Sequence, residues 1–210
     1  MSESTPVLST PVRRREEDVR THQRRNALHT LLGLLELAGQ DWATVTDRVR
    51  DPLVAAMLVG KSVMASERGV RLSVGESSSL RGCHDRADDL VTILGNLIDN
   101  AVDALLGHRP TAPDGPWIEV DLCERGSVTE LRVTDNGPGV PPERRRWIFV
   151  EGASTKRHAD DRRRGLGLAL VADLLRERGG TVTVGEREGG GAVFTVLLPA
   201  TVPGGEGEAP

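Results

Sequence analysis

The stretch Asp135-Asn136-Gly137-Pro138-Gly139 carries the residue types with the clearest chemical potential in this chain. It follows an alternating segment, Thr129 to Thr134, in which Leu131 and Val133 face one way, so a strand is predicted to end at Asp135. The glycines permit a sharp turn and a close approach of the backbone to a ligand. A carboxylate at such a turn can accept a hydrogen bond from an exocyclic amine, which is how a protein distinguishes adenine. The stretch therefore predicts one wall of an ATP pocket.

A second glycine motif, Gly165-Leu166-Gly167-Leu168, lies further along the chain. It opens the apolar run from Leu168 to Leu175, which is predicted to be helical, and the free amides of a helix start favour phosphate oxygens. Because the chain contains 24 glycines, either motif alone is equally well explained as an ordinary turn. The combination of the two motifs predicts a nucleotide site.

The segment from Asp88 to Leu106 is the third part of the predicted site. Apolar residues recur in it at helical spacing and form one face: Leu90, Leu94, Leu97, Ile98, Ala101 and Leu105. Asn96, Asn100 and Asp103 fall on the other face. Asparagine is a poor residue for a helix interior, because its amide competes with the backbone. A carbonyl oxygen aimed at a hydrated Mg²⁺ would explain it, and a solvated polar stripe is the simpler alternative.

Together these segments resemble the motifs of a known family. Asn96-Leu97-Ile98-Asp99-Asn100-Ala101, the first glycine motif, Phe149 and the second glycine motif are similar to the N, G1, F and G2 boxes of the histidine-kinase ATPase domain, a GHKL-type domain of the gyrase- and Hsp90-like superfamily. Within histidine kinases, the stretches Val54 to Lys61 and Val150 to Lys156 resemble the citrate and dicarboxylate sensor kinases. The likeness spans roughly residues 19 to 199.

The resemblance assigns roles to residues of this chain. It implies that Asn100 holds Mg²⁺ and that Asp135 reads adenine. It also implies a short lid over the phosphates, formed by Ser154, Thr155 and Lys156. Asn96 stands where hydrolytic relatives carry a glutamate, so the γ-phosphoryl group would be kept for an acceptor other than water. With ATP and Mg²⁺ as cofactors, the expected binding residues are Asn96, Asn100, Asp103, Asp135, Gly137, Gly139, Thr155, Lys156, Gly165, Leu166, Gly167 and Leu168.

The expected phosphoryl acceptor lies on an amphipathic segment, residues 16 to 38. There the stretch from His22 to His29 resembles the phosphoacceptor box of the family, with His22 as the acceptor and Asn26 beside it on the same stripe. Imidazole suits this task because its neutral form is abundant near pH 7 and one ring nitrogen can attack phosphorus. The family usually carries an acid directly after this histidine, whereas here the position is Gln23.

The chain departs from the family in the helical hairpin as well. The turn at Gly39-Gln40 is followed by only Trp42 to Arg50 before Asp51-Pro52, so the return helix is short unless it continues past Pro52. Pro is tolerated in a first helical turn, so Asp51-Pro52 could equally start a new helix running to about Glu67.

The sequence therefore supports two functions. The first is a histidine kinase that autophosphorylates His22 and passes the phosphoryl group to a response-regulator aspartate. The alternative is a degenerate kinase acting as an ATP-dependent regulatory binding module.

Composition narrows the possible partners and location. With 28% charged residues and a net charge of −4, the chain has no global attraction to nucleic acid. Cys83 and Cys123 are isolated, which is typical of reduced, cytosolic thiols, and no apolar stretch approaches the roughly 20 residues that span a bilayer. The resemblance implies a cytoplasmic homodimer, a response-regulator receiver domain as partner, and a possible separate sensor protein.

The predicted fold class is α+β. A helical dimerisation and phosphoacceptor hairpin over residues 13 to 68 would precede a Bergerat-type α/β sandwich, the ATP-binding domain, over residues 69 to 200, with disordered tails at 1 to 12 and 201 to 210. Within these domains, helices are expected near 13 to 38, 42 to 50, 53 to 67, 86 to 106 and 166 to 178. Strands are expected near 70 to 75, 117 to 123, 129 to 134, 181 to 186 and 192 to 198.

Overall fold

The computed structural model describes residues 42–81, 86–107, 115–150 and 167–200. Within these ranges the chain forms helices α1 (Trp42–Arg48), α2 (Pro52–Glu67), α3 (Ala87–Gly107) and α4 (Gly167–Glu177), together with a short 3-10 helix, Pro142–Arg144. The strands are β1 (Arg71–Val74), β2 (Trp117–Arg125), β3 (Val128–Asp135), β4 (Thr181–Glu186) and β5 (Ala192–Pro199). The α+β class is confirmed, and each expected element within the described ranges is present.

The strands form one mixed sheet in the order β1-β2-β3-β5-β4. β1 runs parallel to β2, and the other pairs are antiparallel. Ile118 pairs with Asp135, and Thr134 pairs with Val193. The carboxyl end of β3 therefore lies beside the amino-terminal ends of β2 and β5, and Asp135 faces the hairpin that enters β5.

One face of the sheet is covered by helices and holds the core. Its buried side chains alternate along the central strands, as a half-buried strand requires: Ile118, Val120, Leu122, Leu131, Val133, Phe194, Val196 and Leu198. Val193, Thr195 and Leu197 lie on the opposite, more exposed face of β5. The inward residues of β5 are those between them.

Helix α3 lies at the centre of the helical layer, in contact with α2, α4 and the sheet. The six residues of its predicted apolar face are all buried, because their spacing keeps them on one side. Asn96, Asn100 and Asp103 are half-buried on the other side. In length and hydropathy α3 would also suit a membrane span, the one such helix among the described residues, but its buried side packs as a core helix does.

The segment after Arg50 starts a new helix. Oδ1 of Asp51 accepts hydrogen bonds from the amides of Leu53 (3.0 Å) and Val54 (3.1 Å), and Pro52 occupies the first turn. This is an N-cap, which supplies partners for amides that the helix itself leaves unbonded. The second of the two sequence-based alternatives at Pro52 is therefore the one observed.

Helix α1 joins the core of the sheet and its helices. Val45 and Val49 are buried in the same apolar cluster as α2 and α3. The backbone of the segment after α1 also pairs with Leu80, whose carbonyl accepts from the amide of Arg50 at 2.8 Å. The domain boundary between residues 68 and 69 stays a prediction, and apolar residues from both sides of it share one core. The expected helix over 13 to 38 and both tails lie outside the described residues.

Candidate functional site

Asp135 ends β3 as a buried carboxylate, with 2% of the residue exposed. Its Oδ1 accepts hydrogen bonds from the amides of Gly137 (2.8 Å) and Ala192 (3.3 Å). Burial raises the pKa of Asp135, whereas these two amides and the positive charge of Arg187 oppose the rise. Both hydrogen bonds that described residues donate to Asp135 end on Oδ1. No described residue donates to Oδ2, so this oxygen is available to a ligand.

The backbone around Asp135 is packed too closely for side chains. Gly139 has φ +72°, and a Cβ built there would be 3.0 Å from the carbonyl oxygen of Gly191. Gly191 has φ +108°, and its Cβ would overlap the carbonyl oxygen of Asp135. A Cβ on Gly137 would be 2.9 Å from Oδ1 of Asp135. These glycines let two loops meet over the carboxylate. The close approach of Gly137 and Gly139 to a bound base stays a prediction.

Asn136 has a structural role. Its Oδ1 accepts from the amide of Trp117 at 2.8 Å, and its Nδ2 donates to the carbonyl of Gly115 at 2.8 Å. The residue is buried, so both hydrogen bonds are protected from water. Asn136 therefore ties the loop that follows β3 to the start of β2 and fixes the direction in which Asp135 leaves its strand.

The first turn of α4 lies directly against Asn96. A Cβ on Gly167 would be 2.6 Å from Oδ1 of Asn96, and the Nδ2 of Asn96 donates to the carbonyl of Thr92 at 2.7 Å. The structure thus brings together the paired-asparagine helix and the second glycine motif, which lie far apart in the sequence. Leu168 is half-buried and packs against the core.

Asn100 is the residue predicted to hold Mg²⁺. It is half-buried, and its side-chain amide forms no hydrogen bond with another described residue. Within the described ranges, no group of three or more His, Cys, Asp or Glu could hold a metal ion. Mg²⁺ is commonly held by one or two protein oxygens together with water and substrate phosphates. A single amide oxygen beside a phosphate site fits that pattern.

An ion pair joins α2 to α3 next to Asn100. Lys61 Nζ lies 2.6 Å from both carboxylate oxygens of Asp99. The side chain of Lys61 is 20% exposed, whereas that of Asp99 is 62% exposed, so water weakens the attraction. The pair contributes mainly to the orientation of the two helices.

Phe149, the residue that resembles the F box, packs against the sheet. Its ring meets Phe194 of β5 edge-to-face, with ring centroids 6.3 Å apart. The remaining predicted site residues lie outside the described ranges: His22, Asn26, Thr155, Lys156, Gly165 and Leu166.

Sequence reasoning missed the β4–β5 hairpin as part of this site. The guanidinium carbon of Arg187 lies 5.1 Å from the ring centroid of Trp117, and its Nε donates to the carbonyl of Gly190 at 2.8 Å. The run Gly189 to Gly191 was the available signal, because three successive glycines between strands exceed what a turn needs.

The donor and acceptor set fits an adenine nucleotide. At one end, the carboxylate of Asp135 beside the glycine turn can accept a hydrogen bond from an exocyclic amine. At the other end, the amino terminus of α4 lies against the side-chain amide of Asn96 and can meet phosphate oxygens. α3 and β3 connect the two ends through the core.

Comparisons with known proteins agree with this arrangement. Residues 85–202 match the family described as histidine kinase-, DNA gyrase B-, and HSP90-like ATPase. The chain is 38% identical to the sensor protein CitS of Bacillus subtilis (strain 168) over 90% of its own length, and 33% identical to the sensor histidine kinase DcuS of Escherichia coli (strain K12) over 86%. It spans slightly more than a third of these curated relatives, 37% of CitS and 35% of DcuS.

Solved structures share the fold. Full-length ShkA in complex with AMPPNP aligns over 71% of this chain and 30% of its own, with a TM-score of 0.58 and 30% identity. A nucleotide-free catalytic domain of the histidine kinase ThkA aligns over 71% of this chain and 93% of its own, with a TM-score of 0.55. At 21% identity, the second match bears on the fold alone.

Proposed function

The chain belongs to the family of histidine kinase-, DNA gyrase B- and HSP90-like ATPases, and we propose that it is a histidine kinase that transfers the γ-phosphoryl group of Mg·ATP to His22. The observation that carries this proposal is the contact between Asn96 and Gly167, in which a Cβ on the glycine would be 2.6 Å from the amide oxygen. That contact brings the expected metal-binding helix to the expected phosphate-binding turn.

The adenine end of the site depends on Asp135. Its Oδ1 accepts from the amides of Gly137 and Ala192, which leaves Oδ2 for a ligand that enters beside the glycine turn. An ionised carboxylate accepts hydrogen bonds and donates none. It therefore favours the exocyclic amine of adenine over the carbonyl oxygen of guanine at the same place.

The phosphate end depends on α3 and the start of α4. Asn100 would hold Mg²⁺, which when bound supplies positive charge to offset the negative charge of the phosphates. Asn96 orients its amide oxygen toward Gly167 and carries no carboxylate to deprotonate water. This preserves the nucleotide for transfer to a side chain.

The transfer step is a substitution at phosphorus. A neutral ring nitrogen of His22 forms the new bond to the γ-phosphorus, while the bond to the bridging oxygen breaks and ADP leaves with its electron pair. The other ring nitrogen would carry the proton during the attack, and Asn26, four residues further along the segment, would contact the reacting groups.

The partners follow from the same proposal. An aspartate on a response-regulator receiver domain would take the phosphoryl group from His22. Two copies of the chain would pair through the amphipathic segment 16 to 38, in the cytoplasm. The names of CitS and DcuS, both sensor proteins, support this assignment.

Labelling with γ-labelled ATP and Mg²⁺ tests the kinase. The wild type is expected to gain an acid-labile label, and both His22→Gln and Asn100→Ala should remove it. His29→Gln is the matched control, because it removes a histidine from the same segment and should leave the label in place. Label that survives His22→Gln would contradict the assignment of the acceptor.

A second function, an ATP-dependent regulatory binding module, is favoured by one observation. α1 ends at Arg48, and its Val45 is buried in the same core as the sheet, so the return arm of the hairpin is short. Tight ATP binding by the wild type without any label would support this module, and transfer of label to a receiver domain would exclude it.

A further inference from the structure

Residues of the β4–β5 hairpin and of β2 contact the segment around Asp135 from two sides. The amide of Ala192 donates to its Oδ1, and Ala192 follows the glycine hairpin that joins β4 to β5. On the other side, Asn136 binds the backbone of Trp117 through its side chain. Arg187 links the hairpin to β2, because its guanidinium lies over the Trp117 ring.

Arg187 holds the hairpin by three contacts. Its Nε donates to the carbonyl of Gly190 at 2.8 Å, its amide donates to the carbonyl of Gly191 at 3.2 Å, and its carbonyl accepts from the amide of Gly190 at 3.0 Å. The side-chain contact crosses the loop, whereas the backbone contacts define the turn. Removing the guanidinium would leave Gly189 to Gly191 with only backbone restraints, and glycine has more conformational freedom than any other residue.

The β4–β5 hairpin packs so closely against the end of β3 that there is no room for an added side-chain carbon. A Cβ on Gly191 would overlap the carbonyl oxygen of Asp135, and a Cβ on Gly139 would be 3.0 Å from the carbonyl oxygen of Gly191. A small displacement of the hairpin therefore moves both the amide of Ala192 and the first glycine turn. Both of these border the place where a base would meet Asp135.

We propose that Arg187 is a positioning residue for adenine recognition: by clamping the Gly189–Gly191 hairpin onto Trp117, it keeps the amide of Ala192 on Asp135 and leaves one carboxylate oxygen for the base. This inference rests on the proposed binding of an adenine nucleotide. Arg187 itself lies outside the N, G1, F and G2 motifs.

The positive charge of Arg187 also favours the ionised form of Asp135, in addition to the contacts that Arg187 makes with the hairpin. Among the described residues, it is the one charged group that shifts the pKa of Asp135, which it lowers against the effect of burial. A carboxylate that stays ionised to lower pH remains an acceptor over a wider range. Loss of the guanidinium should therefore change the pH dependence of nucleotide affinity as well as the affinity itself.

Calorimetric titration of the full chain with ADP and Mg²⁺ between pH 5 and 8 tests the proposal. Arg187→Gln should bind ADP roughly three- to tenfold more weakly at pH 7.5, about the factor expected for loss of a cation–π contact and a charge-assisted hydrogen bond. The pH below which affinity falls should also be higher than in the wild type. Arg187→Lys keeps the charge and can lie over the ring, so it should recover most of both effects.

Arg125→Gln is the matched control. Arg125 also bonds a neighbour, Glu130, but it lies at the far end of β2 from the residue that pairs with Asp135. Its substitution should leave the affinity and its pH profile unchanged.

The outcomes separate this proposal from the one it rests on. A wild type that binds no ADP would remove both. Wild-type binding together with an Arg187→Gln variant of equal affinity and pH profile would overturn the role of Arg187 alone, and so would a lysine variant as weak as the glutamine one. If Arg187→Gln does not fold, Trp117→Leu is tested instead. This variant removes the ring under the guanidinium but keeps the hydrogen bond from the backbone of residue 117 to Asn136. An unchanged affinity of Trp117→Leu for ADP would overturn the proposal.

Discussion

Two buried carboxylates in this protein have opposite surroundings. Asp89, in the first turn of α3, faces Arg178, whose NH2 group donates to Oδ1 at 3.2 Å and whose Nε lies 2.8 Å from Oδ2. The Nε contact is close but not aligned as a hydrogen bond, so it counts as an ion pair. Asp135 is more deeply buried and is ion-paired with no other described residue, and two backbone amides serve only its Oδ1.

The difference separates a structural acid from a functional one. A buried charge is retained for stability only when a partner offsets its loss of hydration. Asp89 has that partner and links the start of α3 to the residue that follows α4. Asp135 has no ion-pair partner among the described residues, and its two amide hydrogen bonds and the charge of Arg187 offset burial only in part, so its pKa is raised. The fold therefore keeps a destabilising group where the first glycine turn meets the β4–β5 hairpin. A ligand that donates a hydrogen bond there explains the arrangement.

The largest expected effect on stability comes from the glycine that approaches Asp135. Gly191→Ala should lower the free energy of unfolding by about 3 kcal/mol or more, because strain at φ +108° adds to the overlap with the carbonyl oxygen of Asp135. Chemical denaturation measures the change. Gly126→Ala is the matched control, since Gly126 has φ +60° with nothing within 4 Å of an added Cβ. It should lose only about 1 to 2 kcal/mol, the strain alone. Equal losses in the two variants would show that the hairpin does not press on Asp135.

The next effect distinguishes the two carboxylates directly. Asp89→Asn should destabilise the protein by about 1 to 2 kcal/mol, because the buried Asp89 loses its charge-assisted contacts with the exposed Arg178. Asp135→Asn keeps an oxygen for both backbone amides and removes the buried charge, so at pH 7 its stability should equal or exceed that of the wild type. Thermal unfolding of both variants in the same buffer measures this. A larger loss for Asp135→Asn than for Asp89→Asn would contradict the distinction.

A third buried carboxylate sharpens the comparison. Asp51 is 1% exposed, and its Oδ1 accepts from two amides at the start of α2. Asp51→Ala should lower stability by about 1 kcal/mol, the usual value of an N-cap, and should leave nucleotide affinity unchanged. Asp51→Ser is the matched control and should recover most of the loss. A weaker affinity in Asp51→Ala would mean that α2 contributes to the site.

The smallest effect is a dependence of stability on pH. The ordinary pKa of an aspartate, 3.8, is raised in Asp135 by burial, so the folded state binds a proton that the unfolded state has released. Stability due to this group is therefore greatest below pH 4 and falls as the pH rises from there through the raised pKa. The difference in stability between Asp135→Asn and the wild type should grow over the same range. A difference that is constant between pH 4 and pH 7 would contradict the shift.

Local patterns in the sequence predicted the parts of the site that depend on near neighbours. Alternation placed the end of a strand at Asp135, and helical spacing separated the buried face of α3 from Asn96, Asn100 and Asp103. At Pro52 the sequence allowed two outcomes, because proline either interrupts a helix or opens one. The hydrogen bonds that Asp51 accepts decide between them, and they form only once the helix has started.

The parts that depend on distant pairing were not predicted. Gly191 matters because β5 pairs with β3, which brings the hairpin onto Asp135. Arg187 matters because β2 also lies beside β3, which brings Trp117 under its guanidinium. Neither pairing is visible in the spacing of residues along the chain, so the three glycines could mark an unusual turn but not its contact with Asp135.

Selective recognition of adenine by Asp135 is the point on which the assigned chemistry depends. Calorimetry with ADP and with GDP, each with Mg²⁺, on the wild type and on Asp135→Asn tests it most directly. Binding of ADP but not GDP by the wild type, with loss of ADP binding in a variant that remains folded, is the expected result. Equal binding of ADP by the two proteins, or equal binding of ADP and GDP by the wild type, would contradict it.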